Sequence, residues 1–142
     1  MTQTELIFND QARVADWVAE RVGQRSSWGG YYAMGAELKG ELTAGLVFND
    51  FTDSNAAVHM AVSIPTKAMR ELLDHGFLYA FKTCGLRRLT APIEASNTKS
   101  LKLVKHIGFV PEAVMAQAGT QGQDIHLLVL WPDRFFKGKN HG

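Results

Sequence analysis

Apolar positions along the chain follow two rhythms. Short apolar runs closed by polar or glycine-rich turns predict strands at residues 6–8, 31–38, 42–51, 56–63, 86–93, 110–116 and 125–131. Apolar residues recurring every three or four positions predict helices. Val14, Trp17, Val18 and Val22 make the first such stripe, opened by Asp10 as candidate N-cap and closed by Gly23. Arg13, Asp16, Glu20 and Arg21 fall on its polar side. A longer stripe of Met69, Leu72, Leu73, Phe77, Ala80, Phe81 and Cys84 starts at Thr66, just past Pro65, and stops at Gly85. A third holds Leu101, Val104 and Ile107, with Ser96 or Asn97 as the cap and Gly108 as the stop. Lys99, Lys102 and Lys105 occupy its other side and crowd toward the C-terminal end, where the helix dipole favours positive charge.

The connections limit how these elements assemble. Lys39-Gly40-Glu41 and Thr52-Asp53-Ser54-Asn55 are turn sequences, so strands 31–38, 42–51 and 56–63 are expected to form an antiparallel meander. A helix between strands 56–63 and 86–93 requires a parallel crossover, which makes the sheet mixed. Pro111 marks strand 110–116 as bulged or at an edge. Residues 118–123 read as a turn, and residues from Pro132 onward as a short tail. The fold class is α/β (α+β), with about seven strands and about three helices. Strand 125–131 is expected to present an apolar edge through which the chain dimerises.

Composition narrows the class. With 142 residues, 46% hydrophobic and 20% charged, the chain suits one domain spanning 1–142. A formal charge of +1 gives no electrostatic footprint for nucleic acid or an anionic membrane. Cys84 is the lone cysteine, so no internal disulfide forms, and no Cys/His spacing suggests a metal site. The expected setting is reducing and cytoplasmic. No stretch approaches the ~20 apolar residues of a membrane span, and residues 1–10 lack the basic start and apolar run of an export signal.

One stretch carries more than a helix pattern. Asn97, then Ser100 and Leu101, then Ile107-Gly108-Phe109 leading into a strand, resembles the last block of the GNAT superfamily of acyl-CoA-dependent N-acyltransferases, and within it the ribosomal-protein-alanine-acetyltransferase-like branch. The order of elements is similar to the whole GNAT core. The resemblance implies a splayed sheet, acetyl-CoA as co-substrate, and direct transfer of an acetyl group to a primary amine of a small molecule or protein. It places the CoA arm along the backbone of Met60, Val62 and Ile64, and its pyrophosphate at the start of the helix holding Lys67, Met69 and Arg70. Free N–H groups and the positive end of the dipole converge there. Asn97 and Lys102 complete the expected cofactor-binding set. The family's glycine-rich pyrophosphate loop is not matched, because no glycine occurs between Ser63 and Glu71.

Acyl transfer to an amine needs a group that accepts the ammonium proton and one that protonates the leaving thiolate. His59 and Glu94, each in or at the end of a strand flanking the expected opening, are the candidate bases, with Asp50 behind them. The family often supplies the acid as a tyrosine just after the leucine matched by Leu103. Here that residue is Val104, leaving Ser100, a water or the substrate to act. Cys84 ends a helix, where the dipole disfavours a thiolate, and so reads as a small buried residue rather than a nucleophile. Trp28 reads as a cap on the core edge; together with Tyr31, Tyr32, Gln117, Gln121 and Asp124 it stands in the segments expected to line the acceptor site. The missing glycines and Val104 leave a second reading open, a GNAT-fold binding or regulatory module without turnover.

Overall fold

Seven strands pair into one sheet in the order β1-β2-β3-β4-β5-β7-β6. The computed structural model describes residues 4–140, with side chains described as far as residue 136. Along the chain these are β1 (Thr4–Ile7), α1 (Gln11–Val22), β2 (Tyr31–Leu38), β3 (Glu41–Asn49) and β4 (Asn55–Val62). There follow α2 (Lys67–Leu78), β5 (Arg88–Glu94), α3 (Thr98–Ile107), β6 (Val110–Met115), β7 (Ile125–Leu130) and α4 (Pro132–Asn140).

The meander forms as the turns predict. Lys39 and Gly40 both take positive φ, 53° and 81°, between the paired Leu38 and Glu41. Such a two-residue turn matches the right-handed twist of the strands it joins. Asp50, at φ 52°, turns the chain out of the ladder, so β3 ends at Asn49 instead of residue 51.

The sheet is covered on both faces. On one, Val14 and Val18 of α1 lie on the paired Gly35 and Gly45; a Cβ added to Gly45 would come within 2.6 Å of a Val18 methyl. On the other, α2, α3 and α4 cover a core that includes Phe48, Phe77, Leu89, Val104, Phe109 and Leu130. Alternation along β4 sends Val58 and Met60 into that core, while Ala61 packs toward α1.

Four expectations are corrected. The stripe from Thr66 to Cys84 is not one α-helix: α2 gives way to a π-helical turn, Tyr79–Thr83, whose wider winding keeps both Ala80 and Phe81 buried while Leu78 faces solvent. The tail is a helix. Pro132 stands at its first position, where a missing N–H costs nothing, and Phe135 stacks edge-on against Phe77 at 5.1 Å. Among the described residues the α-helices therefore number four where about three were expected, and His141 and Gly142 of the expected tail lie outside those residues. Strand β7 is no edge: it pairs with β5 on one side and β6 on the other, and β6, carrying the bulge expected of Pro111, takes the edge.

Candidate active site

The sheet splits between its two central parallel strands. β4 and β5 pair only over Asn55↔Arg88, Ala56↔Leu89 and Ala57↔Thr90. Beyond that, β4 stays with β3 as far as Val62, and β5 stays with β7 as far as Glu94. The closed end is fastened by Thr90 Oγ1 donating to Asn55 Oδ1 at 2.8 Å. Pro92, which has no N–H to give a ladder, lies where β5 has parted from β4 and is in register with Leu127 of β7 alone. The facing backbone groups of β4 past Ala57 need partners from outside the sheet.

A cavity of about 400 Å³ runs through the split. His59 and Glu94 line it from the α1 face, together with Gln24, Arg25, Ser26 and Thr120, and Asn97, Ser100 and Val104 from the α3 face. A second cavity, about 370 Å³, shares Val22, Met60, Asn97 and Ser100 with it and continues past Val62, Lys99 and Leu103 to Pro65 and Met69 at the start of α2. Two molecules entering from opposite faces of the sheet would meet between β4 and β5.

Three polar residues in this space, Asn97, Glu94 and His59, are held by hydrogen bonds. Asn97 caps α3, accepting from the Ser100 N–H at 3.2 Å, and so settles the choice between Ser96 and Asn97. Glu94 receives Gln123 Nε2 at 2.6 Å, while Gln123 Oε1 accepts the Gln121 N–H at 2.8 Å. The Gln123 side chain fits because it crosses Gly119, where an added Cβ would come within 2.6 Å of its Cδ and Oε1. His59 is mostly buried, with Nε2 2.9 Å from Asn49 Oδ1 and its ring 4.6 Å from that of Trp28. Burial pushes its pKa down from 6.5 to about 4 against the opposing pull of Asp50, so the imidazole is neutral at pH 7.

The structure thus brings His59, Glu94 and Ser100 to one cavity, and Met60, Val62, Met69 and Asn97 to the adjoining one. Lys67 and Arg70 stand exposed on the first turn of α2, near that cavity's end. Ile64 is 48% exposed and lines a different hollow, beside Arg21 and Lys39 on the α1 side, and Lys102 is exposed on α3 without lining any of these spaces. Lys99 takes a place that the sequence reading left to solvent: its Nζ donates to the Val62 carbonyl at 3.3 Å, across the mouth of the split.

Of the segments expected to line the acceptor site, 25–32 and 116–124, Arg25, Ser26, Ala118, Gly119 and Thr120 do line the cavity, whereas the aromatic and polar side chains singled out need correction. Trp28 is buried, as a cap on the core should be, but it backs His59 instead of lining the cavity. Tyr32 stacks on Tyr79 at 4.3 Å toward the α2 face, and Asp124 spends one oxygen on the Gln117 N–H. Tyr31, Gln117 and Gln121 also stay out of the cavity lining. Gln123, Asn49 and Lys99 are the functional candidates the sequence missed. Pro92 inside an apolar strand, and two glutamines, Gln121 and Gln123, between Gly119 and the last strand, were the available signals.

The residues fit a CoA thioester. The second cavity is lined by Met60, Ala61 and Val62 of β4 and reaches Pro65 and Met69, on either side in sequence of Thr66, whose Oγ1 is buried without a hydrogen-bond partner. No tyrosine lines either cavity, and Val104 presents only methyl groups. Cys84 lies outside both, packed at the edge of the core. Among the described residues no group of His, Cys, Asp and Glu is disposed to hold a metal ion, and no helix is long and apolar enough to cross a membrane.

No protein-family model matches the chain, and no curated protein matches its sequence. Solved structures do match its shape. It superposes on spermidine/spermine N-acetyltransferase SpeG from Vibrio cholerae with a TM-score of 0.73 and 13% identity, over 96% of each chain. A dodecameric structure of spermidine N-acetyltransferase from the same organism gives 0.74 at 13% identity, over 96% of this chain and 98% of that one. A probable acetyltransferase gives 0.63 at 17% identity, over 83% of this chain and 68% of that one. At such identities the likeness speaks to the fold. With its mixed seven-stranded sheet split between two parallel strands, the chain has the GNAT fold of these acetyltransferases.

Proposed function

We propose that residues 1–142 form one cytoplasmic acetyltransferase domain that moves an acetyl group from acetyl-CoA directly to a primary amine. The observation that carries this is the cavity through the split sheet, which shares Met60, Asn97 and Ser100 with a second cavity leading to the start of α2 and brings both to His59 and Glu94. Val62 and Met60 would lie along the arm of the co-substrate, and Lys67, Arg70 and the α2 N-terminus would face its phosphates. When bound, acetyl-CoA supplies the activated acetyl thioester.

The remaining chemistry falls to the chain. The nitrogen–carbon bond forms as the carbon–sulfur bond breaks, so the ammonium proton must leave and the sulfur must gain one. Glu94, kept in place by Gln123, and neutral His59 are the acceptors at the amine side, directly or through water. His59 alone is a weak proton sink, since burial lowers its pKa to about 4. It is suited to accept a hydrogen bond from the amine while the Glu94 carboxylate takes the charge. Ser100, which lines both cavities, is the hydroxyl assigned to the leaving sulfur. With Cys84 outside the cavity, no acyl-enzyme is required.

The charge of the acceptor side favours a peptide amino terminus, the substrate class of the ribosomal-protein-alanine branch, over a polyamine. Arg25 and Glu94 are the ionic residues lining that cavity and they balance. A polycation would meet one carboxylate and one guanidinium.

Isothermal titration with acetyl-CoA, followed by thiol release with an alanine-terminated peptide, a lysine peptide and spermidine, tests the reading. Binding and faster release with the first peptide are expected. Absence of binding at millimolar acetyl-CoA would overturn it in favour of a binding module without turnover.

A further inference from the structure

Asn49 closes β3 and is only 5% exposed. Its side-chain amide has one donating and one accepting end, and the surroundings dictate which end points where. Nδ2 donates to the Trp28 carbonyl at 3.1 Å. Turning the amide over would set two carbonyl oxygens against each other inside the fold, so Oδ1 must face His59 Nε2, 2.9 Å away. An amide oxygen only accepts. Nε2 of the imidazole therefore carries the hydrogen, and in the neutral ring Nδ1 is left as the one atom with a free lone pair.

The support extends into α1. Trp28 Nε1 donates to the Ala15 carbonyl at 3.2 Å, and the indole lies 4.6 Å from the imidazole at 53°, limiting the ring's freedom to rotate. Neither Asn49 nor Trp28 lines the cavity, whereas His59 does. Charged groups that bear on the imidazole are Asp50, next to Asn49 in the chain, and Glu94 and Arg25, which share the cavity.

We propose that Asn49 is a positioning residue that holds His59 as the Nε2–H tautomer, so that Nδ1 is kept as the acceptor for the proton-bearing amine or its water. Its catalytic meaning rests on the acetyl-transfer reading above; the tautomer itself does not. A wrong tautomer would present an N–H to an amine that also needs to donate, and the two would repel.

Nitrogen NMR of the full chain with labelled histidine reads the tautomer at pH 7 without any turnover. His59 is expected to show a protonated Nε2 and an unprotonated Nδ1. In Asn49→Leu the two nitrogens should move toward averaged shifts as both tautomers populate. The kcat with the preferred amine should fall roughly ten- to hundred-fold while KM for acetyl-CoA stays put. Asn49→Asp, which keeps an acceptor for Nε2–H, should retain the tautomer and move the acid limb of the pH–rate profile upward. It gives up the bond to the Trp28 carbonyl, so the parent-chain spectrum, which needs no variant, keeps the proposal falsifiable if either variant fails to fold. A protonated Nδ1 in the parent chain, or an Asn49→Leu variant with unchanged shifts and unchanged kcat, would overturn the proposal. A tautomer held as described in a chain that acetylates no amine would instead overturn the acetyl-transfer reading, and with it the catalytic role of Asn49.

Discussion

At the scale of single residues, two side chains are held in states that ordinary solvent exposure would not give them. His59 has a pKa lowered from 6.5 to about 4, first by burial and against Asp50. The unfolded chain consequently binds a proton through that window that the folded chain does not. The contribution to stability is complete above pH 6.5 and is lost as the pH falls toward 4. Its size is on the order of 3 kcal/mol. Urea unfolding of His59→Gln at pH 7 and pH 4 should therefore show a smaller loss on acidification than the parent chain, by about that amount; equal losses would contradict the burial argument. Glu94 is held by Gln123, which fits only because Gly119 lacks a Cβ. Gly119→Ala should displace Gln123 and lower kcat, while thermal stability changes by no more than about 1 kcal/mol, because the loop is exposed. Steady-state acetylation and a thermal melt on the same preparation separate the two effects.

At the scale of elements, the decisive arrangement is the parting of β4 from β5 after three registered pairs. Each strand keeps its antiparallel partner on the outer side, so the split opens a cavity without unravelling the sheet. Helix α1 is pressed onto the β2–β3 hairpin across Gly35 and Gly45, and the loop after it, Gln24 to Ser26, reaches the cavity rim. Gly45→Ala should push α1 away from the sheet. Overpacking of this kind costs about 1–3 kcal/mol, and the displaced loop should raise KM for the amine more than for acetyl-CoA. Chemical denaturation and paired kinetics check the two parts. The hairpin turn at Lys39-Gly40 and a helix cap at Ser96 or Asn97 were readable because their backbone demands are local. The end of β3 was not, since the apolar Phe51 prolongs the run past Asn49-Asp50, whereas the ladder stops where Asp50 adopts positive φ.

For the whole molecule, α4 matters more than its tail-like sequence suggests. Phe135 is 7% exposed and lies against Phe77 and Phe81, so the last helix closes the α2 face of the core far from the split. Phe135→Ala should cost about 3–5 kcal/mol in urea unfolding, with acetyl-CoA affinity at low denaturant unchanged. Loss of affinity in parallel with stability would mean that α4 also shapes the site. Acetyl-CoA, which on the proposed reading binds the folded chain alone, should raise the melting temperature, with a stabilisation of about 2.7 kcal/mol at a hundredfold excess over Kd. The sheet ends at β1 on one side and at β6 on the other, and Val114 and Met115 of β6 are 56% and 46% exposed, so the apolar edge expected of β7 lies one strand further out.

The amino-acid sequence by itself determined the elements whose causes are short-ranged. Hydrophobic period set the strands and helices, turn residues set the meander, and the Asn97 to Phe109 stretch indicated a GNAT-like helix with Val104 where a tyrosine is often found. Contacts between residues distant in sequence were decided only by the tertiary structure. Asn49 meets His59 across neighbouring strands, Gln123 reaches Glu94 over 29 positions, and Lys99 spans 37 to reach Val62. Such pairs leave no periodic trace, because a hydrogen bond between side chains constrains two positions and not the pattern between them. Which nitrogen of His59 bears the hydrogen is likewise a property of the packed neighbours, Trp28 and Asn49, and exists only once the sheet and α1 have come together.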